Sequence, residues 1–344
     1  MAKYLTLFDT HSSYEEYIDG PDAILPNVSY CEDVKDVHFN PEHDYTKDYL
    51  TFTAKENGTF KFSGSTTANT IQYSLDNGTT WNNLAHDTNT PTVSSGSSIM
   101  WKGSNLTIDI GIGKFISSGL FDTEGNIMSL LYGDNFAGHL STDDDTFRRL
   151  FSGCTGLIAA ENLVLPATAL TRGCYQYMFQ GCTSLTTAPE LPATTLTEEC
   201  YNYMFNGCTS LTTAPELPAT TLSGSCYDSM FYGCTSLTSA PELPATTLAD
   251  WCYHSMFEGC TSLTTAPELP ATTLAQFCYG NMFYGCSSLT YIKCLATDIS
   301  AWGCTRDWVD GVASTGTFVK NPSMSSWEID VTGIPSGWTV QDAS

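Results

Sequence analysis

One short sequence is written over and over between Phe151 and Ser300, and that repetition limits what this chain can fold into. The unit is MF-x-GC-TSL-TTAPELPATTL-x-x-x-CY-x-x. Its MF-x-GC segment stands intact at Met178, Met204, Met230, Met256 and Met282, and in a weaker form over Leu150–Cys154. The period is 26 residues from Cys182 through Cys208, Cys234 and Cys260 to Cys286, and the step from Cys154 to Cys182 is two longer. A fixed period of this size predicts a solenoid, each copy one supersecondary unit stacked on the next.

The copy from Leu185 to Cys208 gives the expected local structure. Leu185-Thr186-Thr187-Ala188 is short and rich in β-forming residues, and Pro189, which donates no backbone hydrogen bond, stops it. Glu190-Leu191-Pro192-Ala193 reads as an extended connector, because a residue before proline is pushed out of the helical region. Thr195, with Glu198 three residues on, makes a capping box and predicts a helix start. The same slots hold Thr247 with Asp250 and Thr273 with Gln276, whereas Thr221 meets Gly224 and has the cap alone. Leu196, Cys200 and Met204, with Tyr201 and Phe205 beside them, form one apolar stripe on that helix. Gly207 ends it, as Gly181, Gly233, Gly259 and Gly285 do in their copies. One strand and one short helix per copy is leucine-rich-repeat architecture. The MF-x-GC-TSL pattern resembles the BspA-type leucine-rich repeats of bacterial surface proteins. The resemblance covers nearly half the chain and implies a binding scaffold, a class with many ligands.

The remaining sequence divides around this stack. Residues 1–48 are acidic and irregular. Their Leu25–Asp33 and Val37–Pro41 stretches resemble N-terminal segments of virion proteins of crAss-like and related Bacteroides phages, which implies an arm that docks on other virion proteins. Residues 49–117 alternate with period two. Glu56-Asn57-Gly58 and Asp76-Asn77-Gly78 read as hairpin turns, and Thr79-Thr80-Trp81 and Leu106–Ile110 as strands. A small immunoglobulin-like β-sandwich follows from this, a module that resembles the one preceding BspA-type repeats in gut bacterial and phage proteins. Ile127–Tyr132 is apolar enough to be buried. Asp143-Asp144-Asp145 reads either as a calcium site or, better, as the acidic start of a helix over Thr146–Phe151. The expected fold class is multidomain: irregular arm 1–48, β-sandwich 49–117, junction and N-terminal cap 118–148, α/β leucine-rich-repeat solenoid 149–300, and a tryptophan-rich C-terminal cap 301–344.

Charge narrows the partners. The chain carries a net −24, and residues 151–300 hold Arg172 and Lys293 against eleven acids. Nucleic acid and anionic membrane would be repelled, and no apolar run is long enough to insert in a membrane. The start has no apolar segment of the secretory kind, so the expected route is a virion assembled in the host cytoplasm, with the protein on the virion surface. Eleven of the fourteen cysteines are repeat positions. On stacked helices, equivalent cysteines would lie about 8–10 Å apart, beyond disulfide reach. No C-x-x-C suggests zinc. The expectation is buried thiols packing between coils, a few cross-coil bridges being the alternative.

Catalytic motifs are absent from the sequence: there is no G-x-S-x-G, H-E-x-x-H or P-loop. No catalytic residue, metal or cofactor is expected. His254, alone in the repeats, reads as solvated surface. Glu190, Glu216, Glu242 and Glu268 form a solvated like-charge column. Two slots vary freely between copies: Gly173, Glu199, Ser225, Trp251, Phe277 and Gln180, Asn206, Tyr232, Glu258, Tyr284. Facing outward from the helices, Tyr232, Trp251, Phe277 and Tyr284 are the candidate binding residues, suited to stacking on sugar rings or a protein, the alternative being that they pack between neighbouring helices or under the C-terminal cap. The expected function is a non-enzymatic phage virion protein (head fibre, decoration protein or tail-associated adhesin) that binds host-surface or mucus glycan or protein. The alternative is a bacterial BspA-like cell-surface adhesin. The phage resemblance also implies a homo-oligomer, a trimer, although no heptad run imposes one.

Overall fold

Alternating apolar residues become strands at the start of the described residues. The computed structural model describes residues 44–64, 71–85, 87–103, 113–325 and 327–344. The chain divides into two units at Asp44, and the second, Tyr45–Ser344, is compact. All but the last residues of the expected arm, and the expected strand at Leu106–Ile110, lie outside the described residues. The second unit opens with β1 (Leu50–Ala54), β2 (Phe60–Ser63), β3 (Ile71–Ser74), β4 (Asn82–Leu84), β5 (Ser98–Gly103), β6 (Lys114–Ser117) and β7 (Phe121–Asn126). One face of each strand is apolar and buried, through Leu50, Phe52, Phe60, Ile99, Trp101, Phe115 and Phe121.

Only one of the two Asn-Gly turns makes a hairpin. Asp76-Asn77-Gly78 lies between β3 and β4, which pair antiparallel, and Asn77 and Gly78 take the left-handed backbone such a turn needs. Thr79–Trp81 belongs to that connection, and β4 begins only at Asn82. Glu56-Asn57-Gly58 instead carries the chain between sheets: β1 pairs with β5 and β7, and β2 with β6. The reason is burial, since the crossing sets Phe60 against Phe52 at 5.4 Å in a cluster that also holds Phe115, Phe121 and Trp101.

The sheet order β4-β3-β5-β1-β7-β8, with β8 at Leu157–Val164, changes from antiparallel to parallel at β7. The first coil thus grows directly from the earlier sheet. Phe151 lies 5.9 Å from Phe52 and 5.8 Å from Phe115, so the two regions share one core. Ile127, Met128 and Leu130 are fully buried beneath this joint, around α1 (Ser129–Tyr132), a single turn and the one α-helix among the described residues.

The repeats contain no helix. The expected helices over Thr195–Gly207 and its equivalents, and over Thr146–Phe151, are spirals of tight turns. In each, a left-handed residue recurs at four-residue spacing, as at Glu199, Tyr203 and Gly207 or at Trp251, Ser255 and Gly259. Backbone groups divide into two sets. Asn202, Met204, Asn206 and Cys208 donate three residues back, closing turns within the coil. Glu199, Tyr201, Tyr203, Phe205 and Gly207 donate to Gly224, Cys226, Asp228, Met230 and Tyr232 of the next coil. The apolar spacing explains the choice. Residues at i, i+4 and i+8 drift by about 40° per step on an α-helix, but a four-residue turn period keeps them in register, so both stripes stay buried. Thr195 caps nothing: it bridges Ala169 and Thr221 in a parallel column. Asp143–Asp145 serve turns, with Asp143 O accepting from Thr146 and Thr171 and Asp144 from the Arg172 N–H.

Coils therefore stack much closer than helices would. The rings of Phe151, Phe179, Phe205, Phe231, Phe257 and Phe283 follow one another at 5.3–5.9 Å, stacked nearly parallel. Tyr175, Tyr201, Tyr227, Tyr253 and Tyr279 form a second column at 5.8–6.2 Å. The described cysteines are free and buried. The thiols of Cys182, Cys208, Cys234, Cys260 and Cys286 donate to phenylalanine carbonyls of the preceding coil at 3.0–3.1 Å. Burial pushes the Cys200, Cys234 and Cys286 thiols up to about 12.

Opposite the turns, the extended side pairs sparsely. The copies through Pro189, Pro215 and Pro241 make isolated bridges such as Thr213 with Ser239, since proline removes donors. Continuous pairing returns where the partner strand lacks proline: β9 (Thr265–Leu269), β10 (Tyr291–Cys294), β11 (Thr317–Lys320) and β12 (Thr339–Asp342) form a parallel sheet. Turn geometry continues past Ser300 through Gly303, Asp307 and Gly311. There Trp308 replaces the methionine, stacks on Tyr279 and meets Phe283 at a tilt, both at 6.2 Å, and is covered by Trp327 at 5.7 Å.

Candidate binding site

One column of the turn side departs from the others. It reads Gly173, Glu199, Ser225, Trp251, Phe277, Gly303, and every member has a left-handed backbone, with φ from 51° to 65°. That conformation costs an L-residue about 1–2 kcal/mol. Two large aromatic residues nevertheless occupy it in consecutive coils. Trp251 stacks on Phe277 at 4.1 Å, and Trp302 meets the other side of Phe277 edge-on at 4.7 Å.

Two glycines make room for the Phe277 ring. A Cβ at Gly303 would lie 2.5 Å from it, and one at Gly280 would lie 3.3 Å from it and 3.0 Å from His254. Phe277 is consequently buried, at 4 % exposure, while Trp302 stands 71 % exposed. A depression of about 380 Å³ opens beside them, lined by Phe277, Ile299, Trp302, Thr305, Arg306 and Thr332.

Behind the aromatics runs a polar column, one residue per coil. Gln176 Nε2 donates to Asn202 Oδ1 at 2.8 Å, and Asn202 Nδ2 donates to Asp228 Oδ2 at 3.3 Å. Asp228 Oδ1 lies 3.2 Å from His254 Nδ1 and accepts from Ser229 Oγ at 2.9 Å. His254 in turn packs its ring 4.6 Å from Trp251. It is thus a half-buried, partnered residue, not the solvated one expected. The signal was present in the sequence: Gln176, Asn202, Asp228 and His254 occupy the same slot of successive copies.

Of the four aromatics expected outward, the structure brings Trp251 and Phe277 together and buries Phe277 as the support. Tyr232 and Tyr284 are exposed, at 41 % and 42 %, but stand two coils apart with Glu258 between them. The expectation missed Trp302, which lies beyond the repeats in sequence and reaches Phe277 only because the turn geometry continues past Ser300. The glutamate column ends in an ion pair of Glu268 with Lys293 at 2.9 Å. Among the described residues no group of three or more potential ligands could hold a metal ion, and no helix is long and apolar enough to cross a membrane.

Residues 148–263 and 199–301 match the BspA type leucine-rich repeat region, in six copies. These residues, just under half of the chain, are similar to a BspA-type repeat region. No curated protein and no solved structure matches the chain. BspA-type repeats point to surface adhesion and binding. The copies in this chain differ from one another chiefly in the variable slots of the turn side.

Proposed function

We propose that this protein is a non-enzymatic binding protein whose BspA-type repeats engage a host-surface or mucus glycan through the aromatic cluster at Trp251, Phe277 and Trp302. The observation that carries this is the exposed Trp302 ring held against a buried Phe277. A flat apolar surface fixed in place suits the face of a sugar ring. The polar chemistry nearby supports binding over turnover. Ser229 Oγ donates to Asp228 and not to His254, so this hydroxyl is not set up as a nucleophile. The repeated glutamates are exposed and alike, whereas glycoside cleavage needs two acids in different environments. Immobilised mucin should retain the protein and lose most of it on Trp302→Ala; equal retention of the two would place binding elsewhere.

As to its setting, we read the protein as a virion appendage, a head fibre, decoration protein or tail-associated adhesin, docked on other virion proteins by residues 1–48. The phage-like stretches at Leu25–Asp33 and Val37–Pro41 support this, and the net charge of −24 suits a surface displaying many copies. Co-sedimentation with phage particles that requires residues 1–48 is the expected result. Sedimentation indifferent to them would favour a bacterial cell-surface adhesin.

A further inference from the structure

We propose that the depression beside Trp302 binds a sugar residue bearing a single negative charge, a carboxylate-carrying pyranose at a chain end. The inference rests on the glycan reading above and specifies its chemistry. Three observations converge. First, Trp302 offers an exposed ring face and rests edge-on against Phe277, which packs on Trp251 in the space left by Gly280 and Gly303. An exposed indole face of this kind suits stacking of a pyranose.

Second, Arg306 lines the same depression, 64 % exposed, in a chain of net charge −24. It occupies the slot that holds Asp228 and His254 in earlier coils, so a cation replaces the acid and the imidazole where the depression opens. Its ion pair with Asp307 runs through Nε at 3.4 Å. A guanidinium presents five donors in a planar fork, which matches a carboxylate in two parallel hydrogen bonds. Thr305, largely buried, and Thr332, whose hydroxyl donates to Asp330 and keeps its acceptor capacity, also line the depression.

Third, the surrounding charge sets the ligand's length. An extended polyanion would run past Arg306 onto a strongly acidic surface and be repelled. A single terminal charge meets the arginine with Asp307 as its one ion-paired acid, on the Nε side of the guanidinium. The volume, about 380 Å³, is at the small end of ligand sites and suits one or two sugar units.

Titration calorimetry and saturation-transfer NMR on the full chain test this, with methyl glucuronide, the methyl glycoside of N-acetylneuraminic acid, methyl glucoside and sodium acetate as probes. One or both acidic glycosides should bind at least about tenfold more tightly than the neutral one, about 1.4 kcal/mol. Arg306→Gln should erase that difference, and Trp302→Ala should weaken every glycoside. Both side chains are exposed, and far-ultraviolet circular dichroism confirms that each variant is folded. Equal affinity for acidic and neutral glycosides overturns the charge assignment but leaves the glycan reading standing. Acetate binding as well as the acidic glycosides reduces the site to a simple anion contact and overturns the sugar assignment. Failure of every glycoside to bind overturns the glycan reading itself.

Discussion

The turn side and the extended side of each coil are built from the same 26 residues and hold the stack together differently. On the turn side, alternate backbone N–H groups reach the next coil, and phenylalanine, tyrosine and cysteine columns are buried between coils. On the extended side, prolines remove donors, pairing shrinks to isolated bridges, and threonine and glutamate face water. The lesson is that a repeat unit can place most of its stacking free energy in a segment with no regular secondary structure. The extended side then acts as a connector whose length sets the period. The candidate site follows the same division, since only the well-held turn side can carry large aromatics in a costly backbone conformation.

Alkaline pH should separate the two sides most sharply. Burial holds the Cys200, Cys234 and Cys286 thiols near 12, against an ordinary value of 9.0. Once unfolded, these thiols ionise above about pH 9, so the stability they contribute is complete below that pH and falls as pH rises towards 12. The slope is about 1.4 kcal/mol per pH unit for each thiol. Urea midpoints should change little from pH 8 to 9 and fall from pH 9 to 10 and beyond, and replacing these three cysteines by alanine should lessen the fall, the other buried thiols keeping part of it. A pH-independent midpoint would mean that the thiols are not buried as described.

Within the turn side, Phe231→Ala removes one ring from the middle of a continuous column and should cost about 3–5 kcal/mol by urea denaturation. Gly303→Ala tests the site. Its Cβ would meet the Phe277 ring at 2.5 Å in a left-handed backbone, so a loss of about 2–4 kcal/mol is expected, with a changed tryptophan emission as Trp302 shifts. Asp228→Ala would leave Asn202 and His254 without their shared acceptor and should cost about 1–2 kcal/mol. On the extended side, Thr212→Ala, at an exposed position, should change stability by no more than about 0.5 kcal/mol. A loss there comparable to that of Phe231→Ala would erase the distinction between the two sides.

Much of this was legible in the residues. The period located the coils, the apolar stripe named the buried side chains, and the Asn77-Gly78 turn marked a hairpin. The helix was misread because Leu196, Cys200 and Met204 satisfy both a helix and a four-residue turn period. Local spacing cannot separate the two, and the choice is made by backbone groups that find partners only when a second coil arrives. Glu56-Asn57-Gly58 failed as a hairpin for a related reason: the burial of Phe52 against Phe60 outweighs the local turn preference. In the site, Trp251 and Phe277 were visible as departures from the repeat, but Trp302 and Arg306 were not, because they follow its last recognisable copy.

The sequence by itself determined that this chain stacks one unit repeatedly, which residues of the unit turn inward, and where the copies differ. Those are properties of period and hydrophobicity, and each can be read within a single unit. Only the tertiary structure decided the distance between coils, the turn backbone in place of helix, and the gathering of Trp251, His254, Phe277, Trp302 and Arg306. Each of these depends on contacts between residues about one period apart, whose free energy does not exist until neighbouring coils meet.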